Sequence, residues 1–235
     1  MIYKRLRHTS VPSTTKVRSW TNKVVKVPCF LIGNGVSLND HGDLSVLNDY
    51  FSIGINFAYK KLTPTILLWQ DLEFFYQAKK DLANLKSILY CKDGADPFHM
   101  AYHFVLTGSG RHSLFGFNMP VNATVLKGRG ASGPLAFQLA YVLGCSPIVL
   151  LGFDCKYRDN KTDFYGVNKH HTNNTLRSCN RGLNWIKTVQ KDREVINCSD
   201  NNIFKDSVTL KDVINREDIK SSKKGKEYYN KLLLL

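Results

Sequence analysis

Glycine-containing segments follow several apolar runs of this sequence, and their residue types suit the binding of a phosphate-bearing ligand. The first, residues 33–37, reads Gly-Asn-Gly-Val-Ser and comes directly after the apolar run 29–32. Its glycines allow the backbone to approach a ligand closely, and the side chains of Asn34 and Ser37 offer hydrogen bonds. The segment matches neither the Walker sequence nor the full dinucleotide fingerprint, so a tight turn without a ligand is the alternative.

A second segment, residues 127–133, precedes the clearest helical pattern of the chain, at 132–143. Ser132 is predicted to be the N-cap, which places its hydroxyl and free backbone amides at a helix N-terminus. Lys127 and Arg129 add positive charge there, so an anion such as phosphate is the natural ligand. The alternative is an ordinary connection between a strand and a helix, with basic residues that face solvent.

A third segment, residues 152–154, ends another apolar run with a carboxylate. Asp154 either holds a hydroxyl or a base edge of a ligand, or caps the next turn. The stretch that continues to residue 173 has no apolar period and is rich in Tyr, Asn, His and charged residues. Long irregular segments are uncommon in compact domains unless they serve a function, so this stretch is predicted to be a lid loop.

Four side chains in or beside this loop are candidate catalytic residues: His170, His171, Tyr157 and Tyr165. A histidine can remove the proton of a hydroxyl nucleophile near neutral pH, and a tyrosine can donate a hydrogen bond to a departing phosphate oxygen. The alternative is a surface position without a catalytic role. No metal site is predicted, because Cys155 and Cys179 lack ligand-like spacing.

Short apolar runs alternate with helical patterns along the chain, which predicts an α/β fold with a mainly parallel sheet and helices on both faces. In such sheets ligands bind beyond the carboxyl ends of the strands, where the glycine segments stand. The predicted strands are 29–32, 50–55, 65–69, 87–91, 123–126, 147–151 and 194–197, and the predicted helices are 71–80, 132–143 and 174–189.

Composition is that of a globular protein of 235 residues, with 43% hydrophobic residues and a net charge of +14. We predict a basic arm at 1–26, one domain at 27–204 and a basic extension at 205–235. The arm has seven basic residues and no acidic one, and it either contacts a polyanion or is a solvated tail. Its basic residues include Lys4, Arg5, Arg7, Lys16 and Arg18.

A cytoplasmic location is expected, because no apolar run is long enough to span a membrane and no secretory signal is recognisable. The six cysteines are expected to be reduced packing residues in that compartment. The oligomeric state stays open.

The order of the motifs resembles the bacterial sialyltransferases that use CMP-activated donors, together with the related archaeal pterin-pyrophosphokinase-like domains. The family's G-N-G-P-S loop is matched by residues 33–37, with Val36 in place of the proline, and its asparagine after the second strand by Asn56. Its arginine followed by T-S-G is matched by Arg129 and residues 131–133, with Ala131 in place of the threonine. Its A-L-G-Y and G-I-D motifs are matched by residues 142–145 and 152–154. The resemblance covers residues 29–204.

This resemblance implies a Rossmann-like domain, a variant of the GT-A type, that performs an inverting, metal-independent transfer of a sugar. The nucleotide-sugar donor is a co-substrate, and no cofactor is expected. His171 or else His170 would be the general base, and Tyr157 or Tyr165 would stabilise the leaving phosphate. The predicted donor-binding residues are Gly33, Asn34, Gly35, Ser37, Asn56, Gln70, Asp71, Arg129, Ser132, Gly133, Gly152 and Asp154.

The leading hypothesis from the sequence is therefore a glycosyltransferase that acts on a hydroxyl of an anionic acceptor, with hydroxymethylated DNA slightly favoured over a phosphorylated glycan. One alternative is a magnesium-dependent hydroxymethylpterin pyrophosphokinase-like transferase, which requires a cluster of carboxylates that the sequence does not offer. Another is a non-catalytic nucleic-acid-binding module, in which the glycine segments are only structural.

Overall fold

A computed structural model describes most of the chain, namely residues 20–23, 25–107, 122–128, 131–168, 172–204, 206–223 and 226–234. Several residues with predicted roles lie outside the described residues, so their predicted roles stay predictions. They are Lys4, Arg5, Arg7, Lys16 and Arg18 of the basic arm, Arg129, and the candidate bases His170 and His171.

Within these segments, eight parallel strands form one sheet in the order β6-β5-β4-β3-β2-β1-β7-β8. The strands are β1 (Cys29–Ile32), β2 (Ser52–Ile55), β3 (Ile66–Trp69), β4 (Ile88–Lys92), β5 (Tyr102–Thr107), β6 (Val125–Lys127), β7 (Ile148–Leu151) and β8 (Val195–Asn197). All neighbouring strands pair in parallel.

The described residues form six α-helices beside the sheet: α1 (Leu72–Leu82), α2 (Ser132–Val142), α3 (Asn173–Val189), α4 (Leu210–Asn215), α5 (Glu217–Lys220) and α6 (Lys226–Leu234). Three short 3-10 helices, Val36–His41, Leu44–Asp49 and Asn56–Lys60, connect the first strands. None of the helices in the described segments is long and apolar enough to cross a membrane.

Alternate residues of the central strands enter two different hydrophobic clusters, because side chains of a strand point to opposite faces in turn. On β1, Cys29 and Leu31 join the cluster formed with α2, α3 and α6, whereas Phe30 and Ile32 join a cluster formed with α4 and α5. A third cluster lies between α1 and the strands β3 and β4. Both faces of the sheet are therefore covered, and the prediction of a Rossmann-like α/β domain is confirmed.

Each predicted strand is present within one or two residues at its ends, whereas β5 was not predicted. The burial of β5 is irregular: only Phe104 is fully buried, and Val105 is 51% exposed. A strand near the edge of a sheet with one poorly covered face gives neither a continuous apolar run nor a clean alternation. The predicted role of Ser132 as the N-cap is wrong, because Ala131 has the extended N-cap backbone and Ser132 is the first helical residue.

The strand order places a topological switch point between β1 and β7. From β1 the chain adds strands on one side of the sheet as far as β6, and it then returns to add β7 and β8 on the other side of β1. The connections that follow β1 and β7 therefore lead toward opposite edges of the sheet, and a crevice opens beyond the carboxyl ends of these strands. Residues 33–37 are the first part of the connection after β1, and residues 152–154 are the first part of the connection after β7.

Residues beyond Phe204 contribute to the same core as the rest of the chain. Leu210, Val213 and Ile219 are buried in the cluster beside β1 and β7. Tyr229 and Leu233 of α6 are buried against Phe51 and Trp20, and the Trp20 indole N–H donates to the Leu233 carbonyl at 2.9 Å. The predicted boundary between a domain at 27–204 and an extension at 205–235 stays a prediction, but the extension packs on the sheet.

Replacing Tyr229 by alanine is expected to destabilise the protein, because the side chain is fully buried, contacts the Phe51 ring and donates to the Ser222 carbonyl. We expect the free energy of unfolding to fall by about 3–5 kcal/mol, as for other buried aromatic residues. The neighbouring Tyr228 is 54% exposed, so Tyr228→Ala is the matched control and should change it by less than about 0.5 kcal/mol. Urea unfolding followed by circular dichroism measures both; equal losses would contradict this assignment.

Candidate functional site

A cleft of about 770 Å³ lies beyond the carboxyl ends of β1, β2, β3 and β7, at the switch point of the sheet. Its lining comes from the connections after these four strands, the first turns of α1, α2 and α3, and the loop between β7 and α3. Of the predicted site residues, Gly33, Asn34, Gly35, Asn56, Gln70, Asp71, Ser132, Gly133, Gly152, Asp154 and Tyr165 all line it.

The two connections at the switch point pack directly on one another. The amide of Gly33 donates to the Leu151 carbonyl at 2.8 Å, and the amide of Gly35 donates to the Gly152 carbonyl at 2.8 Å. A Cβ atom on Gly33 would collide with the backbone of Gly152, and one on Gly35 would stand 2.5 Å from the Asp154 carboxyl carbon. Only glycine fits at these two positions, so the segment 33–35 is shaped by contact with its neighbour as well as by its turn.

Asp154 fastens the first connection to the second. Its buried carboxylate accepts hydrogen bonds from the amide of Ser37, at 2.8 Å, and from the hydroxyl of Ser37. Burial raises the pKa of Asp154, although the two bonds from Ser37 favour its ionised form. Ser37 itself is not among the lining residues of the cleft, so it acts on the site by holding Asp154.

Two asparagines present carboxamide groups to the cleft from the ends of β1 and β2. The Asn34 side-chain amide donates to the Ile55 carbonyl at 3.2 Å, which links the two connections. The carboxamide oxygens of both Asn34 and Asn56 are buried and accept no hydrogen bond. Buried polar atoms are nearly always paired in proteins, so these two oxygens are suited to accept hydrogen bonds from a ligand. Asn56 has a left-handed backbone, with φ of 49°, which asparagine tolerates better than most residues.

The N-terminus of α2 opens into the cleft without a side-chain cap. Ala131 occupies the N-cap position, and no side chain accepts a capping hydrogen bond there. Ser132 and Gly133 form the start of the first turn and line the cleft. Pro134 follows, and it has no N–H group. A Cβ on Gly133 would stand 2.8 Å from the Phe153 ring, so this turn also packs tightly on the connection after β7. The amides and the helix dipole favour a negatively charged group at this end of the cleft.

The loop between β7 and α3 forms the opposite wall. The amide of Phe164 donates to the Asn34 carbonyl at 2.7 Å, which attaches the loop to the first connection. Tyr165 lines the cleft with its ring against Phe57, at a centroid distance of 5.3 Å, and its hydroxyl accepts from the Asn168 side chain at 3.3 Å. Burial raises the pKa of Tyr165, so the phenol is protonated at neutral pH and can donate a hydrogen bond.

Tyr157, the other predicted tyrosine, is 47% exposed and does not line the cleft. Arg129, His170 and His171 lie outside the described residues. The residue after His171, Thr172, caps α3 through a hydrogen bond to the amide of Thr175, and Thr175 lines the cleft. Of the two tyrosines, the structure therefore brings Tyr165 to the predicted binding residues.

Several lining residues were not predicted from the sequence: Phe57, Glu73, Asp163, Asn168 and Thr175. Asp163 and Asn168 belong to the loop that was predicted to be functional, and Glu73 and Thr175 lie in the first turns of helices that begin at the cleft. The predicted helix starts at residues 71 and 174 were the available signal for Glu73 and Thr175.

The described lining of the cleft has four carboxylates and no lysine or arginine. Lys60 lies at its edge, with its ammonium 4.9 Å from the centre of the Phe57 ring. Cys155 and Cys179 also line the cleft, and the hydrogen bond between their side chains, together with burial, raises the pKa of the Cys155 thiol. All six cysteines are free. Among the described residues, the one group of side chains arranged to hold a metal ion is Cys91, Asp96 and His103, which lies outside this lining.

A solved structure of a glycosyltransferase shares this fold. The chain superposes on the Maf glycosyltransferase from Magnetospirillum magneticum with a TM-score of 0.58 and 14% sequence identity, over 94% of this chain and 44% of that one. It therefore spans less than half the length of the Maf protein. The sialyltransferase CstII from Campylobacter jejuni, solved with cytidine-5′-monophosphate, gives a TM-score of 0.47 and 16% identity over 79% of this chain and 85% of that one.

No protein-family model matches the sequence, and no curated protein matches it either. The likeness to the Maf protein concerns the fold. The chain therefore shares the fold of the Maf glycosyltransferase.

Proposed function

We propose that this chain is a glycosyltransferase domain that transfers a sugar from a nucleotide-activated donor, bound in the switch-point cleft, to a hydroxyl of an anionic acceptor. The observation that carries the proposal is the combination, in one cleft, of an uncapped helix N-terminus and two buried carboxamide oxygens without partners. The helix N-terminus is suited to bind a phosphate, and the carboxamide oxygens are suited to accept hydrogen bonds from hydroxyl or amino groups.

The phosphate of the donor is assigned to the start of α2. Backbone amides and the helix dipole can hold an anion without a basic side chain, which fits a lining that has no described lysine or arginine. Arg129, two residues before the N-cap in the sequence, is proposed to bind the same phosphate through its positive charge.

The nucleoside and the sugar are assigned to the acceptor-rich side of the cleft. Asn34 and Asn56 offer buried oxygens, and Gln70 and Asp71 follow the end of β3 on the same side. Ribose and sugar hydroxyls and exocyclic amines are the donors that such oxygens require. A ligand without them would leave the asparagine oxygens unpaired in a buried environment, at a cost of about 1–3 kcal/mol each.

The reaction in this proposal is an inverting displacement. The acceptor hydroxyl attacks the anomeric carbon, its proton passes to His171, and the bond between the anomeric carbon and the phosphate oxygen breaks. Tyr165, which is protonated and lines the cleft, donates a hydrogen bond to the departing phosphate. In this proposal no metal ion takes part in these steps.

The acceptor is proposed to be anionic because of the basic residues at 1–26. Hydroxymethylated DNA and a phosphorylated glycan are the two acceptors to compare, in parallel reactions with the same donor. Transfer to DNA whose rate falls steeply as the salt concentration rises would support DNA as the acceptor. Transfer to the glycan alone would identify the glycan as the acceptor instead.

A panel of nucleotide sugars, with CMP-activated donors first, tests the proposed donor class. We expect one class of donor to bind with a 1:1 stoichiometry in calorimetry and to be hydrolysed or transferred, as detected by mass spectrometry, without added magnesium. The pyrophosphokinase alternative instead requires ATP and magnesium. Failure of every donor to bind or react would refute the proposed function.

Replacing Asn56 by glycine is expected to weaken donor binding about tenfold, because the change removes a buried hydrogen-bond acceptor. Glycine also tolerates the left-handed backbone of this position, so the fold should be kept. Asn22 has the same backbone conformation, with φ of 55°, and does not line the cleft, which makes Asn22→Gly the matched control. Calorimetry with the donor measures both variants; an unchanged dissociation constant for Asn56→Gly would contradict the assignment.

Replacing His171 by alanine is expected to lower the rate of transfer about 10²- to 10⁴-fold, the usual contribution of a general base, while the dissociation constant of the donor stays the same. His170→Ala is the control, because it removes the same group at the adjacent position. Single-turnover transfer and donor calorimetry separate the two effects. Loss of transfer in His170→Ala alone would move the base to His170, and full activity in both variants would exclude this pair.

A further inference from the structure

Three side chains with metal-binding atoms converge beside β4, on the face of the sheet that α1 covers. Cys91 on β4 and His103 on β5 are paired in register, and paired residues of neighbouring parallel strands point to the same face. Asp96 belongs to the turn between these strands. One sulfur, one carboxylate oxygen and one imidazole nitrogen of this group all lie within 4.8 Å of one another.

The Asp96 carboxylate is held in place by the backbone of its own turn. It accepts hydrogen bonds from the amide of Phe98 at 3.1 Å and from the amide of Ala101 at 2.8 Å. Its side chain is fully buried, next to the hydrophobic cluster that contains Cys91 and Ala101. A carboxylate that is fixed and dehydrated in this way is already oriented for a cation.

His103 directs one ring nitrogen at this carboxylate and the other at a second one. Its Nε2 lies 3.6 Å from Asp96 Oδ2, is buried and has no hydrogen-bond partner. Its Nδ1 lies 3.8 Å from Asp93 Oδ1, which is exposed. A histidine that binds a metal usually offers its other ring nitrogen to a carboxylate, and Asp93 stands where that partner is expected.

We propose that Cys91 Sγ, His103 Nε2 and an Asp96 carboxylate oxygen bind a zinc ion. Thiolate, imidazole and carboxylate together are the ligands that zinc prefers, and three protein ligands leave a fourth tetrahedral position. His99 lies on the exposed side of the group, with its ring 5.6 Å from the ring of His103, so the fourth ligand is water or His99. The competing explanation is a buried packing cysteine beside a histidine–aspartate pair, which predicts no zinc binding.

The position of this site gives the ion a structural role for the cleft. The Trp69 indole N–H donates to the carbonyl of Ala95, in the turn that carries Asp96, at 2.9 Å. Trp69 ends β3 and pairs in register with Cys91, and the next two residues of the chain are Gln70 and Asp71 of the cleft lining. An ion bound by Cys91, Asp96 and His103 therefore fixes the turn against which the end of β3 rests.

The test uses the full chain, purified without an affinity tag that binds metals. We expect about one zinc ion per chain by elemental analysis after growth with zinc, and a thiolate-to-cobalt charge-transfer band when the stripped chain is loaded with Co²⁺. In competition with a chromophoric chelator, Cys91→Ser and His103→Gln should each weaken zinc binding at least about tenfold. Zinc should also raise the melting temperature of the stripped wild-type chain but not that of either variant.

Cys198→Ser is the control, because Cys198 is also a buried cysteine of this sheet but lies beside β8, in a different hydrophobic cluster. It should bind zinc as the wild type does. His103 is 15% exposed, so His103→Gln keeps the test valid if Cys91→Ser does not fold. The proposal would be overturned if the wild-type chain contained no zinc by elemental analysis and bound none in the chelator competition. Equal zinc binding by the wild type and His103→Gln would also overturn it.

Discussion

The close contact between the connections after β1 and β7 is the constraint on which the cleft depends. These strands are neighbours in the sheet although more than a hundred residues separate them in sequence, and two amides of the connection after β1 donate to the carbonyls of Leu151 and Gly152. This close approach favours glycine at positions 33 and 35, because a Cβ atom at 33 would collide with the backbone of Gly152 and one at 35 with the Asp154 carboxyl group. Asp154 then completes the contact through Ser37, so the floor of the cleft is fixed before any ligand binds.

This contact also explains why motifs that are weak on their own were informative together. Residues 33–37 and 152–154 are ordinary turns when each is considered alone. In a parallel sheet that reverses its strand order between β1 and β7, both connections must reach the same crevice. The sequence therefore allowed seven of the eight described strands, the fold and several residues that line the cleft to be predicted, since each depends on local patterns and on one topological rule.

What the sequence did not reveal arises from contacts between distant segments. β5 was missed because its burial depends on which neighbours cover each face, and Val105 remains exposed. Phe57 and Tyr165 meet in the cleft because the connection after β2 and the loop after β7 converge there. Cys91, Asp96 and His103 have no recognised motif spacing, and they come together only because β4 and β5 pair in register.

The electrostatics of the cleft distinguish between the classes of ligand that the sequence left open. A polyanion such as a nucleic-acid strand requires a track of basic side chains, and the described lining has carboxylates and carboxamides instead. A nucleotide sugar carries its negative charge at one place and hydroxyl groups elsewhere. That distribution matches a cleft whose amides gather at the start of α2 and whose acceptor oxygens lie beyond β1, β2 and β3. Under the proposed function, a polyanionic acceptor would be bound outside the cleft, with only its reactive hydroxyl entering.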